Sequence, residues 1–459
     1  MAFQDFREFL TLLEERGHLA RVKPSVSPRY EIGAICRKVL DERGPALLFE
    51  NVEGSEFPLA ANVMGTRERY ALGLDTTPER LADDWAQRTQ KPLPPVIVDK
   101  GPCQENVLIG DAADLTKFAN PVWNELDGGP FVTMPCHISK DREGNRNVGM
   151  YRGHVFGPRA LGILAGPYRH IVAHQKQTTE PFPLAIAIGV DPAVYAATVA
   201  PFPYGVDEFG MAGALRGAPM ELVRCKTVPL EVPATAEIVL EGTITRGDML
   251  PEGPYAEFTG FSTRVLERPV IRISAITHRN GAINLGTYNG VPPQESLVMT
   301  SVPMEAEIKR LVPLPGIKQV NVTEEGCGAF ICVVSCEKAY EGHAKAIAMG
   351  VLGTPAGRFI KILVMVDSNI DAFDPAKVQW AISTCVQPHR DVQVLNDMMG
   401  IVLDPSIDPA DRASGFARTS KMIIDATRYK AHDFEPIVRP EPQTMARVER
   451  EWAKYGLKY

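Results

Sequence analysis

The run Pro251-Glu252-Gly253-Pro254-Tyr255-Ala256-Glu257-Phe258-Thr259-Gly260 sets two carboxylates five residues apart, with a Gly-Pro pair between them. Proline interrupts a helix and Gly-Pro punctuates turns, so Glu252 and Glu257 are predicted on a bend rather than on one helical face. A bend can aim both carboxylates into one cleft. Packing against Tyr255 and Phe258 would favour the neutral form of a carboxyl, and a carboxyl kept protonated near neutral pH is a general acid. On its own the run favours a plainer reading, an exposed acidic turn. Company elsewhere in the chain decides between them.

Asn147-Val148-Gly149-Met150-Tyr151-Arg152 reads as a strand from its alternation. Asn147 and Arg152 then point to opposite faces, unless a bulge intervenes. Arg152 presents a planar fork of donors suited to a carboxylate, and equally suits a structural ion pair. In Arg169-His170-Ile171-Val172-Ala173-His174 the two histidines are spaced to lie side by side on a helix. No Glu follows the first, so this is not the His-Glu-x-x-His zinc pattern, and a lone His pair is a weak metal signal. Glu208 lies in an irregular Pro- and Gly-containing loop, Pro201–Phe209, and says little alone. The chain has no Walker A loop, no Gly-x-Ser-x-Gly elbow and no Gly-x-Gly-x-x-Gly after a strand.

These groups need elements to position them. The chain has 459 residues, enough for two or three domains, with 45% hydrophobic and 23% charged residues. The net charge of -7 argues against a nucleic-acid partner and leaves room for a local basic pocket. The N-terminus does not read as a secretory signal, and no apolar run is long enough for a membrane span. The eight cysteines include no Cys-x-x-Cys pair. Cys327, Cys332 and Cys336 read as buried free thiols in a reduced, cytoplasmic protein.

Residues 5–16 are predicted as an amphipathic helix with Phe6, Phe9, Leu10 and Leu13 on one face and Gly17 ending it. Segments 46–65 and 95–110 read as strands and loops, giving an N-terminal α/β region over 1–110. From 111 to 310, β-rich runs at 148–155, 184–190, 237–244 and 270–276 alternate with turns at 157–167, 201–205 and 246–254. That pattern suggests an antiparallel sheet or small barrel, with a helix beginning near Tyr168. From 311 to 459, β runs at 329–335 and 360–366 alternate with helices at 343–351 and 375–385, an α/β pattern. Residues 442–455 read as a polar C-terminal helix. The fold class is mixed α/β.

Taken in order, the motifs resemble the UbiD-like decarboxylases, which use prenylated FMN. The resemblance is carried by Asn147-x-Gly-Met-Tyr-Arg152, Arg169-His170, Gly205-Val-Asp-Glu208, the 232–242 segment and Pro251–Glu257. Thr287–Glu295, Gly342–Lys345 and Ser420–Thr427 extend it. It implies a central split β-barrel flavin domain between N- and C-terminal α/β segments.

The resemblance also implies roles. Asn147, His170 and Glu208 would ligate a divalent cation, Mn2+ or Mg2+, that grips the flavin phosphate; such a mixed oxygen and nitrogen set suits these ions. A nearby K+ is implied as well. Asn147, Val148, Gly149, Met150, Tyr151, Arg152, Arg169, His170, Glu208 and Lys361 would line the cofactor site. Arg152 would meet the substrate carboxylate, Glu252 would hold Arg152, and Glu257 would be the proton donor that replaces carbon dioxide. The implied reaction is a reversible non-oxidative decarboxylation of an aromatic, heteroaromatic or α,β-unsaturated acid through a covalent adduct with the flavin. A flavin prenyltransferase would supply the cofactor, and a homodimer or homohexamer is implied. Two departures stand out: Ala256 where many relatives have Gly, and Arg169 where some have Gln. The alternatives are an ordinary flavin oxidoreductase on the same scaffold and a non-catalytic assembly paralogue.

Overall fold

The computed structural model describes residues 3–177, 181–413, 417–428, 434 and 436–457. The first helix, Phe6–Glu15, buries Phe6, Phe9, Leu10 and Leu13 on the predicted face. Asp5 caps it through the Glu8 N–H. Behind it, the strands Leu19–Val26, Ala46–Val52 and Leu59–Ala61 form a sheet whose fourth strand, Asn284–Gly286, returns from far along the chain.

The central element is a nine-stranded sheet, curled into a half-barrel. Its core pairs are antiparallel: Cys136–Lys140 with Arg146–Met150 and with Phe182–Ile188, Phe182–Ile188 with Ile238–Glu252, and Ile238–Glu252 with Leu266–His278. Asn106–Ile109 adds to the outer edge of Leu266–His278. Alternation puts Leu184, Ile186, Ile238, Leu240 and Ile276 into one continuous core.

Three local expectations change. The predicted strand 148–155 is two strands, Arg146–Met150 and Gly153–Val155, which lie in different parts of the sheet. The chain crosses over at Tyr151-Arg152, so the parity that set Asn147 and Arg152 on opposite faces does not apply. The predicted turn at 157–167 holds a short strand, Ala160–Ile163, paired with Leu266–His278. The predicted turn at 246–254 is instead the far end of the long strand Ile238–Glu252. Its pairing resumes after a register shift, so Glu252 lies opposite Leu266.

The helix Glu295–Leu311 joins the halves of the molecule. Val298, Met299 and Val302 enter the central core, while Met304 and Ile308 enter the C-terminal one. Beyond it lies a five-stranded mixed sheet in the order Ile317–Val322, Ile331–Cys336, Ile362–Asp367, Arg418–Ala426, Val392–Met399. The helix His343–Leu352 covers one face with Ala344, Ile347 and Val351, and Pro375–Cys385 covers the other with Val378 and Ala381. Cys332 and Cys336 are buried free thiols as expected, whereas Cys327 is half-buried. The C-terminal helix Pro442–Arg450 buries no residue. No described helix is long and apolar enough to cross a membrane.

Candidate active site

The strand break at Tyr151-Arg152 sends Arg152 toward the end of the long strand. Its Nε donates to Glu252 Oε1 at 2.8 Å and its Nη2 to Glu252 Oε2 at 3.2 Å. The third nitrogen, Nη1, pairs with Glu257 Oε1. The guanidinium also lies 4.8 Å from the centre of the Tyr255 ring. One cation therefore holds two carboxylates whose residues are only 1% and 7% exposed. The exposed acidic turn is excluded. Taking such charges out of water costs several kcal/mol each unless the geometry repays it, so a buried cluster with one more acid than base is a candidate site.

The loop carrying Glu257 is fixed from several sides. Within it, Glu257 N–H donates to Phe261 O at 3.0 Å and Thr263 N–H to Tyr255 O at 2.9 Å. From outside, Asp127 Oδ1 accepts the Ala256 N–H at 2.9 Å, and Gln294 Nε2 donates to Phe258 O at 2.8 Å. Gly128 N–H donates to Pro254 O at 2.8 Å. A Cβ on Gly128 would stand 2.2 Å from Gly253 O, so only glycine allows these two loops to meet. His154 Nδ1 accepts the Gly253 N–H at 3.2 Å, which sets its tautomer with the proton on Nε2. Burial lowers the pKa of His154, keeping it neutral. Asp127 and His154 escaped sequence reasoning because their partners lie about a hundred residues away.

The second cluster forms where two helices begin against the strand Arg146–Met150. His170 is the first residue of the helix His170–Lys176, and Glu208 the first of Glu208–Arg216. Asp207 caps the second helix through the Phe209 N–H. Glu208 Oε2 accepts the Val148 N–H at 2.8 Å, which sets the carboxyl beside Asn147. Burial raises the Glu208 pKa to about 8. Burial also lowers the pKa of His170, so its imidazole is neutral. Asn147 is buried, and its Nδ2 has no hydrogen-bond partner. A neutral imidazole, a carboxyl short of positive charge and the carbonyl oxygen of a buried asparagine amide make a donor set that a divalent cation fits. Among the described residues no three His, Cys, Asp or Glu side chains gather as a metal cluster, so the amide of Asn147 is needed to complete the set.

The intervening residues serve this arrangement. Val148 is buried and Met150 half-buried. A Cβ on Gly149 would stand 2.6 Å from the Tyr151 hydroxyl, so glycine makes room for that ring. Burial raises the pKa of Tyr151 to about 12. His174, by contrast, bonds to Ser139 Oγ at 3.0 Å and packs on Tyr204, a structural role.

Arg169 occupies the N-cap position of the His170 helix, exposed and without a side-chain capping bond. Lys361 precedes the strand Ile362–Asp367 and pairs with Asp404 Oδ2 at 3.0 Å and with Ser406. The C-terminal cation that acts on His170 is instead Arg358. Burial and the charge of Arg169 both lower its pKa. Its Nε has no partner, and among the described residues no carboxylate pairs with Arg358 or Arg169. Two guanidiniums that feel each other's charge, with no paired carboxylate among the described residues, would suit an anion. The sequence carried no signal for Arg358, since the fold alone brings the 357–360 turn to the His170 helix.

Three family models match the chain in succession: the 3-octaprenyl-4-hydroxybenzoate carboxy-lyase N-terminal domain over 10–89, its Rift-related domain over 96–292 and its C-terminal domain over 297–426. The chain belongs to the UbiD family. An uncharacterised protein of Synechocystis is 33% identical to this UbiD chain, over 99% of its length and 96% of the relative's. The UbiD-class enzyme HmfF from Pelotomaculum thermopropionicum, solved in complex with FMN, is 35% identical with a TM-score of 0.87, covering 96% of this chain and 99% of that one. An evolved dimeric form of HmfF was solved with prFMN. The closed form of vanillic acid decarboxylase from Sedimentibacter hydroxybenzoicus is 31% identical with a TM-score of 0.87 and full coverage of both chains. UbiD membership thus identifies a decarboxylase family with flavin-bound members, and it agrees with the split-barrel sheet.

Proposed function

We propose that this chain is a carboxy-lyase that uses prenylated FMN to decarboxylate an aromatic, heteroaromatic or α,β-unsaturated acid, reversibly and without net oxidation. The observation that carries this reading is the buried Glu252–Arg152–Glu257 cluster. When bound, the prenylated flavin would supply an electron sink for the density left on carbon as carbon dioxide departs. The chain's own residues do the rest. Arg152 receives the substrate carboxylate with donors that Glu252 holds in place. Glu257, fixed by its loop on the other side of Arg152, delivers the proton that takes the place of carbon dioxide. Binding of an aryl or acryloyl acid here excludes water, which strengthens each of these charge interactions.

In this reading Asn147, His170 and Glu208 hold Mn2+ or Mg2+ against the flavin phosphate, with Arg169 and Arg358 nearby and K+ as a further ion. Val148, Gly149, Met150 and Tyr151 form the wall behind the cofactor, and Lys361 borders it from the C-terminal side. The protein would work in the cytoplasm as a homodimer or homohexamer and draw its cofactor from a flavin prenyltransferase.

The test is the mass of the small molecule released from protein co-produced with a flavin prenyltransferase. Prenylated FMN supports the reading. Its absence, with the prenyltransferase shown to be active, overturns it.

The metal set makes a separate prediction. A carboxyl with a pKa of about 8 is mostly protonated at pH 7, and a metal ligand must be deprotonated. Mn2+ uptake by flavin-free protein at pH 7 should therefore release about one proton per metal, and the release should fade above pH 8 as Glu208 ionises unaided. A pH indicator in weak buffer reads this directly. Glu208→Gln should abolish it; unchanged proton release in that variant would take Glu208 out of the metal shell.

A further inference from the structure

The Ser420–Thr427 segment stands out in the sequence, yet the reaction proposed above makes no use of its lysine. Lys421 lies in the strand Arg418–Ala426 and is 2% exposed. A lysine so deeply buried ordinarily has an acid beside it, and among the described residues Lys421 has none. Its ammonium donates instead to three main-chain carbonyls: Gly357 O at 2.9 Å, Arg358 O at 3.1 Å and Ile360 O at 2.5 Å. All three of its N–H donors are used, and all on one turn. That turn, 357–360, is the one that presents Arg358 to Arg169 and His170.

Ile360 anchors the turn in the C-terminal core and Phe359 packs against that core, but the turn's other polar bonds are local. Gly357 N–H bonds back to Thr354, and Ile360 N–H to Gly357 O, both within the segment. The Arg358 guanidinium rests 4.7 Å from the centre of the neighbouring Phe359 ring, also within it. Lys361 N–H reaches Phe330 O only after the turn has closed. Among the described residues, the side-chain hydrogen bonds that tie the turn across to another strand come from the Lys421 ammonium.

We infer that Lys421 is a positioning residue for the flavin phosphate: it fixes the 357–360 turn so that the Arg358 guanidinium stands ready for a phosphate dianion beside Arg169 and His170. The inference rests on the flavin reading above. Without Lys421 the Arg358 and Ile360 carbonyls lose their donor, Gly357 O keeps only the Ile360 N–H, and the turn must rearrange to find others. Arg358 then moves, and affinity falls for ligands that carry a phosphate but not for those that lack one. Lys421 acts through the turn, where all three of its N–H donors are spent.

The experiment compares FMN with riboflavin, which differ only by the phosphate, by fluorescence quenching in Mn2+ buffer. It uses the full chain, Lys421→Met, Arg358→Met and the double variant. The wild type should prefer FMN. Lys421→Met should weaken FMN binding about tenfold, the scale of one charge-assisted contact, and leave riboflavin binding unchanged. In the Arg358→Met background the same substitution should add nothing, because coupled residues do not act additively. Equal loss for both ligands, or a full further loss in the double variant, would overturn the inference and leave Lys421 a general support of the fold. Should Lys421→Met not fold, Lys421→Gln is read the same way, and an unchanged FMN preference there overturns it too. A wild type indifferent to the phosphate would remove the phosphate site itself, and Lys421's role with it. A wild type that prefers FMN beside a Lys421→Met chain with the same preference removes Lys421 alone.

Discussion

Glu257→Gln should lower the turnover of cofactor-loaded enzyme on the order of a thousandfold, the usual worth of a positioned general acid, while flavin content stays at the wild-type level. Glutamine keeps the size and the acceptor oxygen of Glu257, so Arg152 retains a partner and the loop retains its main-chain bonds to Phe261 and Asp127. What it loses is the exchangeable carboxyl proton. The prediction separates three readings of one scaffold. A proton donor is indispensable to a decarboxylase, because the carbon that loses carbon dioxide must gain hydrogen. A flavin oxidoreductase that moves electrons through the isoalloxazine ring has no need of Glu257, so its rate would barely change. A non-catalytic relative would show no turnover in either form. Carbon dioxide release per bound cofactor is the quantity to measure, and near-wild-type release from the variant would remove Glu257 from the reaction.

The parts of this site that were legible in the sequence are those whose chemistry is local. The apolar spacing of Phe6, Phe9, Leu10 and Leu13 fixes a helix face without help from the rest of the chain, and the helix forms there. Glu252 and Glu257 stood out because proline and glycine between them forbid a continuous element. The ordered motifs pointed to the family, since each keeps its own residues together. What escaped depended on tertiary neighbours. Alternation in 148–155 is equally good for one strand or two, and only the competition of two sheet positions splits it at Tyr151-Arg152. Ile244 and Met249 belong to the same strand, but a register shift separates their pairings, and no residue pattern announced it. Asp127, His154 and Arg358 are ordinary polar residues in loops or short strands. They join the candidate site only because the fold brings residue 127 to 256 and 154 to 253, and sets the charge of Arg358 against His170. Lys361 was expected at the cofactor site from its place at the start of a C-terminal strand, and in the structure it also pairs with Asp404 and Ser406.

Arg152→Ala is expected to show two large effects at once, and their separation is the informative part. In the folded chain one guanidinium neutralises two buried carboxylates through separate nitrogens. Removing it strands both, and an uncompensated buried charge costs about 3–5 kcal/mol of stability. The melting temperature of the variant should drop measurably. Turnover should fall by roughly a thousandfold on top of this, since the variant loses the group that positions and neutralises the reacting carboxylate. Arg152→Lys divides the two effects. A lysine restores one positive charge and with it part of the stability, but a single ammonium cannot hold Glu252 by two parallel bonds and reach Glu257 with a third donor. The lysine variant should therefore melt closer to wild type while its turnover, per bound flavin, stays within about tenfold of the alanine variant. If turnover recovered together with stability, Arg152 would be acting as a charge alone and its fork would have no part in orienting the substrate. If either variant kept its flavin and turned over at a near-normal rate, Arg152 would be a structural ion-pair partner, and the carboxylate of the substrate would have to be met elsewhere in the cleft.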